Sequence, residues 1–290
     1  MATMRAIRTR IKTVTSTQQI TKAMKMVSVS KLRRTQAAMT AMRPFAEKSR
    51  EIMDSLLAGG TYENPFLVPR KEIKKVCYVL YVGNRGLCGA YNSNIMRYMA
   101  ELAANETHEY SVVVLGRWGR DVIRRVGLPV ARTFDDISDT PTAQQGIEAA
   151  EYLKQMYLNG EADKIVLVYQ KFKNALSQIP TDVTLLPASA DVPQGGDTPG
   201  SDYIFEPDQA TILENMLQLY INNTVYSAML EAKSGEHSSR MTAMTSASDN
   251  TDELIGELNL KLNRARQAQI TTEISEIVGG ASALKRKKQK

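Results

Sequence analysis

The sequence predicts a mixed α+β and α/β fold: a long antiparallel coiled coil of the N- and C-terminal helices, with a central Rossmann-like α/β domain between them. Three observations predict it. No proline follows Pro207, and apolar residues recur at helical spacing from there to Leu284. A matching stripe runs from Met4 to Leu57. The residues between alternate strand-like and helix-like patterns.

The N-terminal helix is expected over 1–58. Its stripe reads Ile7, Ile11, Val14, Ile20, Met24, Val27, Met42, Phe45 or Ala46, Ile52 or Met53, and Leu56. A linker over 59–73 opens with Gly59-Gly60 and contains Pro69. The α/β domain spans 74–206, with strands at Lys75 to Val82, Ser111 to Leu115, Lys164 to Gln170 and Thr181 to Leu186. Helices fall near Asn92 to Ala104, Gly119 to Val126 and Thr142 to Leu158, and the last two strands are expected to form an antiparallel edge. The stretch Pro187 to Ser201, rich in Pro, Gly, Ser and Asp, leads out of it. The C-terminal helix takes 207–285, and 286–290 is a basic tail. Its Leu254, Leu258, Leu262, Ala265, Ile270, Ile274, Ile277, Ala281 and Leu284 step by three, four or five. At 1.5 Å per residue such a helix would be ~115 Å long, more than a globular core can cover, so other chains must surround it.

Composition excludes several classes. With 43% hydrophobic and 23% charged residues the chain is an ordinary folded protein, and no apolar run approaches the 18 residues of a membrane span. The start, MATMRAIRTRIK, has the look of a transit peptide, but the same helical stripe continues past it, so it reads as structure. Cys77 and Cys88 show no C-x-x-C spacing, and His108 and His237 stand far in sequence from any plausible partner, so neither metal nor redox chemistry is expected. The net charge of +6 hides an asymmetry: residues 1–50 carry twelve Lys or Arg against the single acid Glu47. A basic rod wants a partner bearing carboxylates or phosphates. One alternative reading is a coiled-coil nucleic-acid-binding protein, but interleaved aromatics and base-reading side chains are missing.

A glycine-rich turn, Gly83-Asn84-Arg85-Gly86-Leu87-Cys88-Gly89, directly follows the first strand. Another alternative is therefore a nucleotide-binding α/β protein. The glycines fall at i, i+3 and i+6, however, where a dinucleotide fingerprint needs i, i+2 and i+5, and no Gly-Lys-Ser/Thr follows. The structural reading is that Gly83, Gly86 and Gly89 permit positive φ and close approach of the turn to a neighbouring element.

Three segments together carry a family resemblance: Ile20-Thr21-Lys22-Ala23-Met24-Lys25-Met26-Val27 with Ser30-Lys31-Leu32; the turn Arg85-Gly86-Leu87-Cys88-Gly89; and Arg240 to Leu284, including Arg264-Ala265-Arg266-Gln267-Ala268-Gln269-Ile270-Thr271. In this order over the whole chain they resemble the gamma subunits of F-type ATP synthases of bacterial type. The resemblance implies a non-catalytic rotor shaft turning inside a ring of alpha and beta subunits, seated with epsilon on the c-subunit ring, and coupling proton transport to ATP synthesis. It implies no cofactor of the chain's own, nucleotides being bound by partner subunits, no nucleic acid, and a peripheral place on the cytoplasmic face of the bacterial plasma membrane. Arg266 and Gln267 are then the positions that meet a beta-subunit loop, with Met24 expected opposite them on the first helix and Arg240 and Glu273 elsewhere along the second. Tyr203, Phe205 and Glu206 would belong to the foot against the c ring and epsilon. Asn84 departs from the acid more usual before this turn, which leaves a charge-based role of the turn open.

Overall fold

A computed structural model describes residues 4–58, 64–188, 206 and 208–288. Tyr203 and Phe205 of the expected foot lie outside the described residues, and Glu206 is exposed. In chain order the elements are α1 (Met4–Ala58), β1 (Lys75–Tyr81), α2 (Tyr91–Asn105), β2 (Glu109–Leu115), α3 (Arg117–Val126), β3 (Val130–Phe134), α4 (Ala143–Leu158), β4 (Lys164–Asn174), β5 (Ser177–Leu186) and α5 (Gln209–Lys288). Two compact units result: Met1–Met26 with Ala243–Lys290, and Val27–Thr242.

In the larger unit the sheet has the order β3-β2-β1-β4-β5. The first four strands are parallel, and β5 joins β4 antiparallel, as its place after a short hairpin requires. β1 is central, and its alternating side chains feed two cores. Cys77, Val79 and Tyr81 pack on one face with Leu153 of α4 and with Leu217, Ile221 and Val225 of α5. Val76, Tyr78 and Leu80 pack on the other with Ile95 and Met99 of α2 and Ile123 of α3. Leu217, Ile221 and Val225 lie four residues apart, one helical stripe fully buried on the sheet. Each such side chain contributes roughly 1.5–3 kcal/mol. α4 begins with a reciprocal cap: Thr142 Oγ1 accepts from Gln145 N–H at 3.3 Å, and Gln145 Oε1 accepts from Thr142 N–H at 3.2 Å.

β3 is not among the strands the sequence predicted. It is a short edge strand whose residues are mostly exposed, so no alternation marks it. Arg132 of that strand stacks over Phe134 and Tyr152, 4.6 and 4.5 Å from their ring centres.

The apolar stripe expected along α1 is met in part: Ile7, Ile11, Val14, Met24, Met42 and Ala46 are half-buried and Met53 and Leu56 buried. Ile20, Val27 and Phe45 depart from it and are exposed, Ile20 by 60%. Thr21, Ser28, Leu32, Thr35 and Ser49, which the stripe left out, are buried as well. Hydroxyls serve because each can return a bond to a carbonyl three residues back, as Thr21 does to Gln18 and Thr35 to Leu32.

Within the smaller unit, Thr21 Oγ1 meets Ser248 Oγ at 2.8 Å, Gln18 donates to Asp252, and Lys22 Nζ lies 3.6 Å from Asp252. The two segments are therefore antiparallel, with partner numbers adding to about 270. Leu258 is buried in this seam, and Leu254, Leu262 and Ala265 are half-buried. From Arg266 to Ala281 every residue of α5 is exposed, including Ile270, Ile274 and Ile277.

Candidate functional site

In an open α/β sheet the crevice for ligands lies beyond the carboxyl ends of the strands, where neighbouring strands lead off in opposite directions. Here that point is between β1 and β4, and the glycine-rich turn 83–89 stands at the end of β1. The crevice is occupied by the chain's own α5, through residues Ala232 to Arg240. Tyr91 OH donates to Ala232 O at 2.7 Å, Ser239 Oγ to Cys88 O at 2.6 Å, and Ser238 Oγ to Ala175 O at 2.6 Å. Arg240 Nη2 donates to Arg85 O at 3.2 Å and to Gly86 O at 3.3 Å. The turn thus presents carbonyl oxygens to a cation. A phosphate cradle presents N–H groups, which is the opposite polarity.

Two glycines have a stated need. A Cβ on Gly83 would come within 2.9 Å of Asn92 Oδ1, the atom that accepts the Gly83 N–H, and within 3.1 Å of Glu236. Gly89 has φ +57. Gly86 has neither: its surroundings are open, and the left-handed residue beside it is Leu87, φ +59 and 63% exposed. The reading that the turn's glycines serve positive φ or close approach therefore holds for Gly83 and Gly89 and not for Gly86. The turn places its strain one residue later, on a side chain held out to solvent.

Behind the turn lies a buried charge cluster that the sequence did not suggest. Glu236, 1% exposed, accepts from Lys233 Nζ at 2.8 Å and from Arg240 Nη2 at 2.7 Å. Burial by itself would raise this carboxyl, but attraction to Lys233 and Arg240, with hydrogen bonds from both, outweighs it and the pKa is lowered. His237, described from sequence as lacking a partner, is buried with Nε2 at 2.8 Å from Asp139 O, while Lys31 of α1 pairs with the Asp139 carboxylate. Desolvation lowers the His237 pKa, so the ring is neutral. Ser234 Oγ donates to Thr35 Oγ1 at 2.9 Å. One span of α5 is therefore fastened to α1, the glycine turn, the 135–141 loop and the β4–β5 hairpin. A spacing of Lys, Glu, His and Arg at i, i+3, i+4 and i+7 is the sequence signal that marks it, since those positions share a helix face.

Comparison with known proteins follows the same architecture. An ATP synthase family model matches residues 3–284. The ATP synthase gamma chain of Moorella thermoacetica is 45% identical over 285 residues, covering 98% of this chain and 100% of the relative. That of Pelotomaculum thermopropionicum is 43% identical with the same coverage. The chain belongs to the ATP synthase gamma chain family. Among solved structures, the central stalk with c ring of the Tetrahymena thermophila mitochondrial ATP synthase contains a chain 25% identical, with TM-score 0.61, covering 79% of this chain and 99% of that one. A chain of the Euglena gracilis mitochondrial enzyme shares the fold at 21% identity, with TM-score 0.70, covering 97% of this chain and 94% of that one.

The expected contact residues of this gamma chain do not form one site. Met24 is half-buried, and the antiparallel register places it opposite residues near 245. Arg266 and Gln267 are exposed and fall opposite the first residues of α1. The separation along the axis is ~30 Å. The expectation that Met24 faces Arg266 and Gln267 is corrected, because an antiparallel pair fixes one partner sum and these positions do not meet it. Glu273 is exposed and accepts from Gln269 Nε2 at 2.9 Å. Arg240 is buried, its guanidinium bonded to the turn and to Glu236. Cys77 and Cys88 are buried free thiols, and burial pushes Cys77 up to about 12. Among the described residues, no helix is long and apolar enough to cross a membrane.

Proposed function

We propose that the chain is the central rotor shaft of a proton-translocating ATP synthase, carrying rotation of a c-subunit ring into a ring of alpha and beta subunits. The beta subunits carry the bond chemistry and bind the nucleotides, and the chain itself holds no cofactor. Its asymmetry gives otherwise identical catalytic sites different affinities in turn, so that binding energy and torque are exchanged. The observation that carries this reading is the polar clamp on α5. A shaft must not slip in its foot domain, and several buried hydrogen bonds with a three-membered charge cluster resist rotation about the helix axis better than apolar contact alone, because they are directional.

The exposed apolar residues Ile270, Ile274 and Ile277 need a sleeve from other chains, and the alpha and beta subunits would supply it. The basic α1 favours acidic loops on beta, where charge complementarity with loose packing permits turning. We assign Met24, the adjacent pair Arg266 and Gln267, and Glu273 to beta contacts at three heights, and Arg240 to a contact made through the turn it holds. Tyr203, Phe205 and Glu206 belong to the foot on epsilon and the c ring, at the cytoplasmic face of a bacterial plasma membrane. The test is reconstitution with alpha and beta subunits and attachment of a bead to the α/β domain. ATP-driven stepwise rotation is expected; hydrolysis by the assembled ring with the bead stationary would refute the shaft reading.

A further inference from the structure

His237 is 1% exposed, and both its ring nitrogens are engaged. Nε2 lies 2.8 Å from Asp139 O, a group that can only accept, so Nε2 carries the proton. Nδ1 lies 3.5 Å from Nη1 of Arg240, a side chain that can only donate, so Nδ1 offers its lone pair. The neutral ring therefore fits this place in one tautomer. A second proton has to go on Nδ1, where it meets the Arg240 N–H, and one of the two groups must move.

The charges around the ring make no room for that proton. Three cations, Lys31 of α1 with Lys233 and Arg240 of α5, face two carboxylates, Asp139 of the 135–141 loop and Glu236 of α5, and each carboxylate is already paired. Cys88 of the turn and Tyr91 of α2 also lie by the cluster, and burial raises both, so they stay uncharged. The β4–β5 hairpin meets this span through the Ala175 carbonyl. A protonated His237 is thus a fourth cation with no anion of its own, away from water.

Arg240 is the neighbour whose displacement reaches the turn. Its rigid guanidinium also holds Arg85 O at 3.2 Å and Gly86 O at 3.3 Å, so it cannot leave His237 and keep both. The same Arg85 O accepts from the Cys88 thiol at 3.6 Å, so a shift of Arg85 uncovers Cys88.

We propose that His237 is a proton-binding site that sets the grip of α5 on the glycine turn: a proton taken up at Nδ1 displaces Arg240, frees Arg85 and Gly86, and opens Cys88 to solvent. Desolvation, the largest influence, holds the His237 pKa below 6.5, so the closed turn prefers the neutral ring and acid favours the open one. Opening should grow about tenfold for each pKa unit by which the closed ring lies below 6.5. This device belongs to the clamp and operates whether or not the chain turns.

The chain has two histidines and two cysteines, so both ends of the device are visible in the full-length protein. The His237 ring is titrated by NMR of the histidine-labelled chain, with His108→Gln assigning its signal. Over the same pH range, labelling of Cys88 by dithiodipyridine, a thiol reagent active in acid, is followed by peptide mapping. A cysteine peptide gives the reference rate, and buried Cys77 is the internal control. Cys88 labelling should rise to a plateau with the same midpoint as the His237 titration, while Cys77 stays unlabelled. His237→Gln, whose amide offers one donor and one acceptor but takes up no proton, should label slowly throughout. Helical circular dichroism establishes that this variant is folded; if it is not, coincidence of the two wild-type midpoints decides. Cys88 labelling that ignores the His237 titration, or that accelerates equally in folded His237→Gln, overturns the proposal, as does a ring that stays neutral until the whole chain unfolds.

Discussion

Replacing Glu236 with Gln keeps the shape of the side chain and removes the one anion between Lys233 and Arg240. Lys233 is 4% and Arg240 8% exposed, so neither cation can recover its hydration. Breaking a buried pair in this way costs roughly 3–5 kcal/mol, because an unneutralised charge is left in a low-dielectric site. Two charge-assisted hydrogen bonds, each worth roughly 1.5–3 kcal/mol, give the same scale independently. Urea denaturation of the full-length chain should therefore show an unfolding free energy lowered by that amount, read as a lower midpoint with the slope unchanged. The triple replacement Lys233→Met, Glu236→Leu and Arg240→Met removes the charges together and should recover most of the loss. In the assembled enzyme, however, the triple variant should transmit less torque, since it lacks the directional bonds to the turn. A loss below about 1 kcal/mol for Glu236→Gln would mean that water reaches the cluster, and the clamp argument would fail.

Gly83→Ala should destabilise the chain by roughly 1–3 kcal/mol, its Cβ pressing on Asn92 and Glu236, whereas Gly86→Ala, with open space around it, should be neutral or stabilising by up to about 1 kcal/mol in the same melts. His237 has a folded pKa below its unfolded value of 6.5, so the unfolded chain binds the extra proton. Its contribution is complete above pH 6.5 and is lost as pH falls from there through the folded value, a dependence that His237→Asn should remove from stability–pH curves. Met24→Lys should lower proton transport per ATP in reconstituted vesicles. Combined with Arg266→Ala its effect should simply add, since the two positions are ~30 Å apart; a strong mutual rescue would contradict the register. Ile274→Asp with Ile277→Asp should leave the melting of the isolated chain unchanged while weakening its capture by alpha and beta subunits, measured by co-sedimentation.

Both long helices, the alternation of strands and helices between them, and the antiparallel last strand were legible in the sequence. Each rests on periodicity or chain connectivity, which are local properties. Sequence also excluded a nucleotide fingerprint at the glycine turn, because that chemistry demands fixed spacing. Tertiary structure alone decided which α1 positions are fully buried: Thr21, Ser28 and Thr35 are, while Ile20 and Val27 are exposed, and the Thr21 and Thr35 hydroxyls meet Ser248 and Ser234 of α5, pairings that hydrophobic periodicity does not encode. It alone decided the partner of each position along the coiled coil, and so separated Met24 from Arg266. It alone brought Lys31, Asp139, Glu236, His237 and Arg240 together from three parts of the chain. No local pattern encodes such a meeting, because it follows from where a helix and a turn distant in sequence are carried by the sheet between them.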